Sequence, residues 1–238
     1  MTLLMFVIGA CLGSFLNVVL LRDDWYIGRS HCESCNYTLQ WFDLIPVVSY
    51  LLYRGRCRKC GKKIDVQHLA SEVYMGCGFA AVGMYCTTDI MTAITLLVAV
   101  TFLCICAICD SKDMEISVLF LYGGIVSVAV LKMFHLCLCG EWIDLIKFII
   151  IYGIVYLIFV FVSIFCKNHV GEGDFDILMI MLLAAGLYHT AVSVTIASVI
   201  GLCVYLPLLV TKRITRKEAI PLAPLLYVGF LFNLIGGM

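Results

Sequence analysis

Gly171-Glu172-Gly173-Asp174-Phe175-Asp176-Ile177-Leu178-Met179-Ile180-Met181-Leu182-Leu183 passes within a few residues from a polar connection into an unbroken apolar run. A carboxylate at such a boundary is costly in a membrane unless it has a role. The glycines flanking Glu172 lack Cβ atoms, so the backbone there can turn sharply and admit another chain close to Asp174. A matching carboxylate, Asp110, stands at the far end of an earlier apolar run. Two such acids facing one another can share a proton and activate a water molecule.

The chain around this stretch is 63% hydrophobic and 13% charged, with a mean hydropathy of +1.06. These values lie outside the range of soluble domains and predict an all-α polytopic membrane protein. Apolar runs long enough to span, at roughly 17 to 25 residues each, fall at about 3–21, 69–87, 90–109, 116–136, 142–166, 175–190, 191–210 and 222–237, which makes about eight helices. The first run follows only Met1 and Thr2, with no basic segment ahead of it, so it is expected to be retained.

Half of the 16 lysines and arginines lie between Arg22 and Lys63. With the N-terminus outside, the cytoplasmic connections are 22–68, 110–115, 167–174 and 211–221, and they hold every basic residue except Lys132 and Lys147. The third run then travels inward to Asp110 and the sixth travels outward from Asp174, which puts both acids at the cytoplasmic face. The organisation read from this pattern is a first transmembrane helix over 1–21, a cytoplasmic loop over 22–68 and a transmembrane core over 69–238.

Within the loop stand Cys32-Glu-Ser-Cys35, a 21-residue insert and Cys57-Arg-Lys-Cys60. Two Cys-x-x-Cys knuckles so separated are the spacing of a zinc ribbon, in which four thiolates close a tetrahedral structural site. The alternative is four unrelated thiols in a chain with 14 cysteines. Cys106-Ala-Ile-Cys109 lies in an apolar helix without a second pair and reads as packing. The insert carries Leu44 to Tyr53, too short to span and interrupted by Pro46, and is expected at the interface or against the ribbon.

Several other residues read as ordinary. His31, His68 and His169 show no helical metal-ligand spacing, and Cys137-Leu-Cys139 reads as free thiols. The methionines read as helix packing, and Lys212, Arg213, Arg216 and Lys217 as a topology signal at anionic headgroups. Helix capping suits Asp174 at the start of a helix. It does not suit Asp110, which stands at the end of one, where the dipole disfavours a negative charge.

Taken in order, these features resemble the type IV prepilin peptidases, membrane aspartic proteases with a Gly-x-Gly-Asp signature. The resemblance runs through Gly13-Ser14-Phe15-Leu16-Asn17-Val18, Arg22, the paired cysteines enclosing Asp43-Leu44-Ile45-Pro46 and Ser49-Tyr50, Arg54 to Arg58, and Glu72. It continues through Asp110 with Ile116, Gly171 to Asp174, and Ile220-Pro221-Leu222-Ala223-Pro224. It implies Asp110 and Asp174 as the catalytic pair, with Gly171 and Gly173 supporting the catalytic segment, and zinc on Cys32, Cys35, Cys57 and Cys60. It further implies an inner-membrane enzyme that removes the basic leader of type IV prepilin or pseudopilin precursors. Many relatives also methylate the new N-terminus with S-adenosylmethionine, although residues 22–71 carry no glycine motif for a nucleotide. The lipid bilayer is an expected partner and nucleic acid is not.

The chain departs from the family pattern at Ser117 and Leu69, where prolines are usual, after Arg22, and at Asp176, where a lysine is common. Asp176 adds negative charge beside Asp174. The competing class is a non-enzymatic transporter or a pilus or secretion assembly scaffold with a zinc ribbon. Against it stand the lack of internal repeats and the location of both acids at one face rather than at midplane.

Overall fold

The computed structural model describes residues 1–21, 29–32, 34–85, 89–165, 172–211 and 220–237. Among these residues the chain is helical with no strand beyond isolated bridges, and it divides into two compact units, Met1–Gly83 and Met84–Met238.

The first unit contains α1 (Thr2–Leu21), a 3-10 turn (Trp41–Leu44), the short α2 (Val48–Leu52) and most of α3 (Val66–Tyr85). Helix α1 meets α3 on Gly9 and Gly13, one turn apart. A Cβ added at these positions would lie 2.5 Å from the Met75 carbonyl oxygen and 2.7 Å from that of Ser71. Such small residues let helices approach where lipid removes the hydrophobic drive for them to associate. Next along the same face, the buried Asn17 donates to Ser71 Oγ and to the His68 carbonyl. Helix α3 starts three residues before its apolar run because Asp65 Oδ1 accepts from the Gln67 N–H, capping the polar first turn.

The second unit is built on α4 (Ile90–Asp113), which packs against α5 (Val118–Cys139), α7 (Glu172–Ala185) and α9 (Ala223–Ile235). Val100, Leu103, Cys104 and Ala107 of α4 share its core with Ile177, Ile180 and Met181 of α7 and with Tyr227 and Phe230 of α9. Helix α6 (Trp142–Phe165) is the most apolar span and is almost wholly exposed, as a lipid-facing helix must be. Helix α8 (Leu187–Val210) pairs closely with α9. At the crossing, a Cβ on Gly229 would stand 2.4 Å from the Ser193 carbonyl oxygen, and Asn233 donates to the His189 carbonyl and to Ser193 Oγ.

All eight expected helices are present. Five of them, α1, α4, α5, α6 and α8, are long and apolar enough to cross a membrane on their own. Helix α7, at 14 residues, is about 21 Å long. The break between the sixth and seventh helices falls at Gly186 (φ +86°), not at His189-Thr190. The polar pair lies inside α8 because Thr190 bonds back to the Gly186 carbonyl, while glycine alone relaxes readily into the left-handed region. Helix α4 likewise outruns its apolar stretch. Ser111 bonds back to Ala107, and Met114 (φ +53°) closes the helix by donating its N–H to the Asp110 carbonyl.

Candidate functional site

Asp110 therefore lies within the last turn of α4, and Asp174 within the first turn of α7. The two helices pack together, both side chains are half-buried, and the charge of Asp110 acts directly on Asp174. Asp176, one residue pair further along α7, shares this negative environment, since both it and Asp110 act on the buried Cys106. The site is thus a cluster of carboxylates between two helix ends, with apolar packing beneath it.

Asp110 has a further partner that sequence reasoning did not anticipate. Its Oδ2 accepts a hydrogen bond of 2.9 Å from the N–H of Ala223, the first residue of α9. Asp110 does therefore cap a helix, one whose start is remote in sequence. Leu222 offers α9 no side-chain cap, and Pro224 has no N–H to satisfy. Gly173 sits inside α7, where a Cβ would meet the Cδ1 atoms of Leu121 and Ile116 at 3.6 and 4.0 Å, ordinary contacts. Close approach of another chain does not require glycine at this position. Gly171 lies outside the described residues, as do Arg22, His169, Lys212, Arg213, Arg216 and Lys217.

In the first unit the four loop cysteines come together. All four Sγ atoms lie within 4.8 Å of one another, with Cys32 and Cys60 at 3.9 Å and Cys35 and Cys57 at 4.0 Å. These distances are far from a disulfide. They match the spacing of about 3.8 Å between thiolates placed tetrahedrally around zinc at about 2.3 Å. The two knuckles are the same local structure used twice. In the first, the Cys32 N–H donates to the Tyr37 carbonyl and the Asn36 N–H donates to the Cys32 carbonyl. In the second, Cys57 donates to Lys62 and Gly61 donates to Cys57. Asn36 (φ +51°) and Gly61 (φ +71°) take the same left-handed position in each, residue types that tolerate it. The quartet can hold a metal ion, and the fit of its donors is that of a closed structural site.

The thiols are electrostatically unequal. The Ser34 N–H, more than any other contact, pulls the Cys32 thiol down to about 6. At Cys35 the Tyr37 N–H pulls the other way, but burial and the three neighbouring thiols prevail and hold it up at about 11.

Beside the cysteines lies a cavity of about 250 Å³ whose lining includes Asp43, Glu72, Tyr50, Tyr53, Arg56 and Arg58. Asp43 Oδ2 accepts from the Gln40 N–H, while its Oδ1 is buried without a hydrogen-bond partner. Glu72 Oε2 accepts from the N–H of Val47 at 2.7 Å, and Val47 sits at φ +62°, a strained conformation for a β-branched residue. The short α2 that follows leaves Val48, Leu51 and Leu52 exposed. Among the described residues no disulfide is formed, at Cys106, Cys109, Cys137 and Cys139 or elsewhere.

Residues 7–86 match the family model described as the bacterial peptidase A24 N-terminal domain. Over nearly the whole chain, 98% of it, the sequence is 24% identical to a prepilin leader peptidase/N-methyltransferase of Bacillus subtilis, covering 94% of that protein. Across its length the chain is similar to proteins named as prepilin leader peptidases. A prepilin leader peptidase/N-methyltransferase of Aeromonas hydrophila is 24% identical over 98% of this chain and 90% of its own length. Similarity to the prepilin peptidase relative from Myxococcus xanthus is higher but local, 43% over 81 residues, 32% of this chain and 24% of that protein. No solved structure matches the chain.

Proposed function

We propose that the protein is a membrane aspartic endopeptidase that removes the leader from type IV prepilin-like precursors at the cytoplasmic face, with Asp110 and Asp174 as its catalytic pair. The observation that carries this reading is the placing of two half-buried carboxylates at the ends of two helices that pack together, one in the last turn of α4 and one in the first turn of α7. Like charges so placed favour a state in which the pair holds one proton. The ionised acid takes a proton from water as the water oxygen bonds to the scissile carbonyl carbon, and the protonated acid gives its proton to the carbonyl oxygen. When the tetrahedral species collapses, the C–N bond breaks, the leaving nitrogen collects the first proton and the carbonyl returns the second. No covalent enzyme intermediate is needed.

The N-terminus lies outside in this reading, and the cytoplasmic connections are those rich in lysine and arginine. A precursor with a basic leader held inside and an apolar helix held in the bilayer presents its cleavage point at that interface. Cys32, Cys35, Cys57 and Cys60 hold a structural zinc ion that fixes the loop. The relatives' names extend the reading to methylation of the new N-terminus, for which S-adenosylmethionine supplies the methyl group. In the cavity of the first unit, the unpartnered Asp43 Oδ1 suits a ligand hydroxyl or amine, and Arg56 and Arg58 suit a ligand carboxylate.

Co-expression with a type IV prepilin precursor followed by intact-mass measurement tests the peptidase reading. A precursor shortened by its leader is the expected product, and a precursor of unchanged mass would refute it.

A further inference from the structure

Asp110 is poorly served by its own helix. It stands in the last turn of α4, where the carbonyl ends of the helix oppose a negative charge. Of the titratable groups around it the carboxylates add to that opposition, and the basic residue of the same turn, Lys112, is exposed. Cys106 and Cys109 lie on its own helix, and Asp174 and Asp176 lie on α7. On α5 the first two turns carry only Tyr122, which is exposed, and on α9 Tyr227 is buried one turn below the Asp110 contact. Among the described residues no lysine or arginine forms an ion pair with Asp110.

The counterweight is the start of α9. Ala223 is 1% exposed, so its N–H has little recourse to water, and it donates to Asp110 Oδ2 at 2.9 Å. An N–H can only donate, and an ionised carboxylate accepts more strongly than a protonated one. The positive end of the α9 dipole favours the same charge state. Asp174, in the first turn of α7, also has a helix dipole behind it, but among the described residues no buried backbone N–H donates to its carboxylate as Ala223 does to Asp110.

We propose that Ala223 is a positioning residue, whose N–H holds Asp110 as the ionised member of the pair and so leaves the shared proton on Asp174. This rests on the peptidase reading above and deepens it by assigning the two roles. With Oδ2 engaged by Ala223, the proton of the attacking water is taken at Asp110 Oδ1, while Asp174 donates to the scissile carbonyl oxygen. The bond also orients the carboxyl plane, tying the base to a helix that contacts both α4 and α7.

The test removes the N–H and keeps everything else. Lactic acid placed at position 223 of the full-length protein by nonsense suppression turns the donating N–H into an ester oxygen. The pH dependence of kcat for cleavage of a purified prepilin is then compared with that of the unmodified enzyme. Loss of the bond removes a donor to the carboxylate that acts as base, so the acid limb of the pair's profile moves to higher pH, read as a roughly tenfold loss at the acid side that recovers as the pH rises. KM stays within about twofold, since the bond acts on the base rather than on substrate binding. Ala223→Pro, which removes the same N–H by another route, moves the limb in the same direction, whereas Ala223→Gly, which keeps the N–H, leaves it in place. An acid limb that stays where it was in both the ester and Ala223→Pro, whether or not the rate falls, overturns the assignment. Asp110→Asn is assayed alongside. Full activity in that variant would sink the peptidase pair and this inference together. Activity lost there with an unmoved limb in the ester sinks this inference alone.

Discussion

The N–H of Ala223 donates to Asp110 Oδ2 across 113 residues of sequence, joining the first residue of α9 to the last turn of α4. An asparagine keeps an acceptor oxygen in the place of Oδ2, whereas an alanine leaves a buried N–H without a partner. Asp110→Asn is therefore expected to melt near the wild-type temperature in detergent, and Asp110→Ala to lose about 1 kcal/mol, the usual cost of a missing N-terminal cap. Equal melting temperatures for Asp110→Ala and wild type would show that the bond contributes nothing to holding α9.

Metal content tests the cysteine cluster. Freshly purified protein is expected to carry one zinc per chain, and Ser at Cys32, Cys35, Cys57 or Cys60 should abolish or greatly weaken its binding, with Cys106→Ser and Cys109→Ser unaffected. Because Cys35 is held up at about 11, it gives up a proton when zinc binds at neutral pH, so loading acidifies the medium and affinity rises with pH. Cys32, down at about 6, is already ionised at pH 7 and adds to the proton release only as the pH falls through that value. Zinc uptake without proton release in a weakly buffered titration would contradict this.

Helix crossings in the second unit make a contrast between glycines. Gly229→Ala drives a Cβ toward the Ser193 carbonyl and Ala197, both parts of a neighbouring helix that cannot simply rotate away, and is expected to cost about 1 to 3 kcal/mol. Gly153 on the exposed α6 has no atom within 4 Å of its would-be Cβ, so Gly153→Ala is expected to be neutral or slightly stabilising. Comparable thermal shifts for the two variants would show that α8 and α9 are not packed as described.

Much of this architecture was legible in the sequence because it is written locally. Eight apolar runs announce eight helices by length alone, and the doubled Cys-x-x-Cys spacing announces a cluster that the backbone then builds from two copies of one turn. The rest was not local. That α4 continues beyond Asp110 depends on Met114 adopting a left-handed conformation, and the α7–α8 break chose Gly186 over a polar pair because glycine pays no steric penalty there. The partner of Asp110 was out of reach for a stronger reason. A backbone N–H carries no side-chain signature, so Ala223 shows nothing in the sequence beyond its place in a proline-flanked helix start.

Topology can be read with cysteine labelling of intact and permeabilised cells, in a background that keeps the four loop ligands. Ser111→Cys and Asn168→Cys are each expected to resist an impermeant reagent until the cytoplasm is opened, since the proposed topology puts the end of α4 and the 167–174 connection on the inner side. Labelling of one from outside and the other from inside would separate the two acids by the thickness of the membrane.

The pair itself is tested most directly by cleavage. Asp110→Asn and Asp174→Asn, each purified in full-length form and given the same prepilin precursor, are measured by intact mass over time beside Asp176→Asn. The account predicts that either principal variant loses cleavage by at least about a thousandfold, because each removes one half of the proton exchange, while Asp176→Asn remains measurably active. Processing at near the wild-type rate by either Asp110→Asn or Asp174→Asn would contradict it.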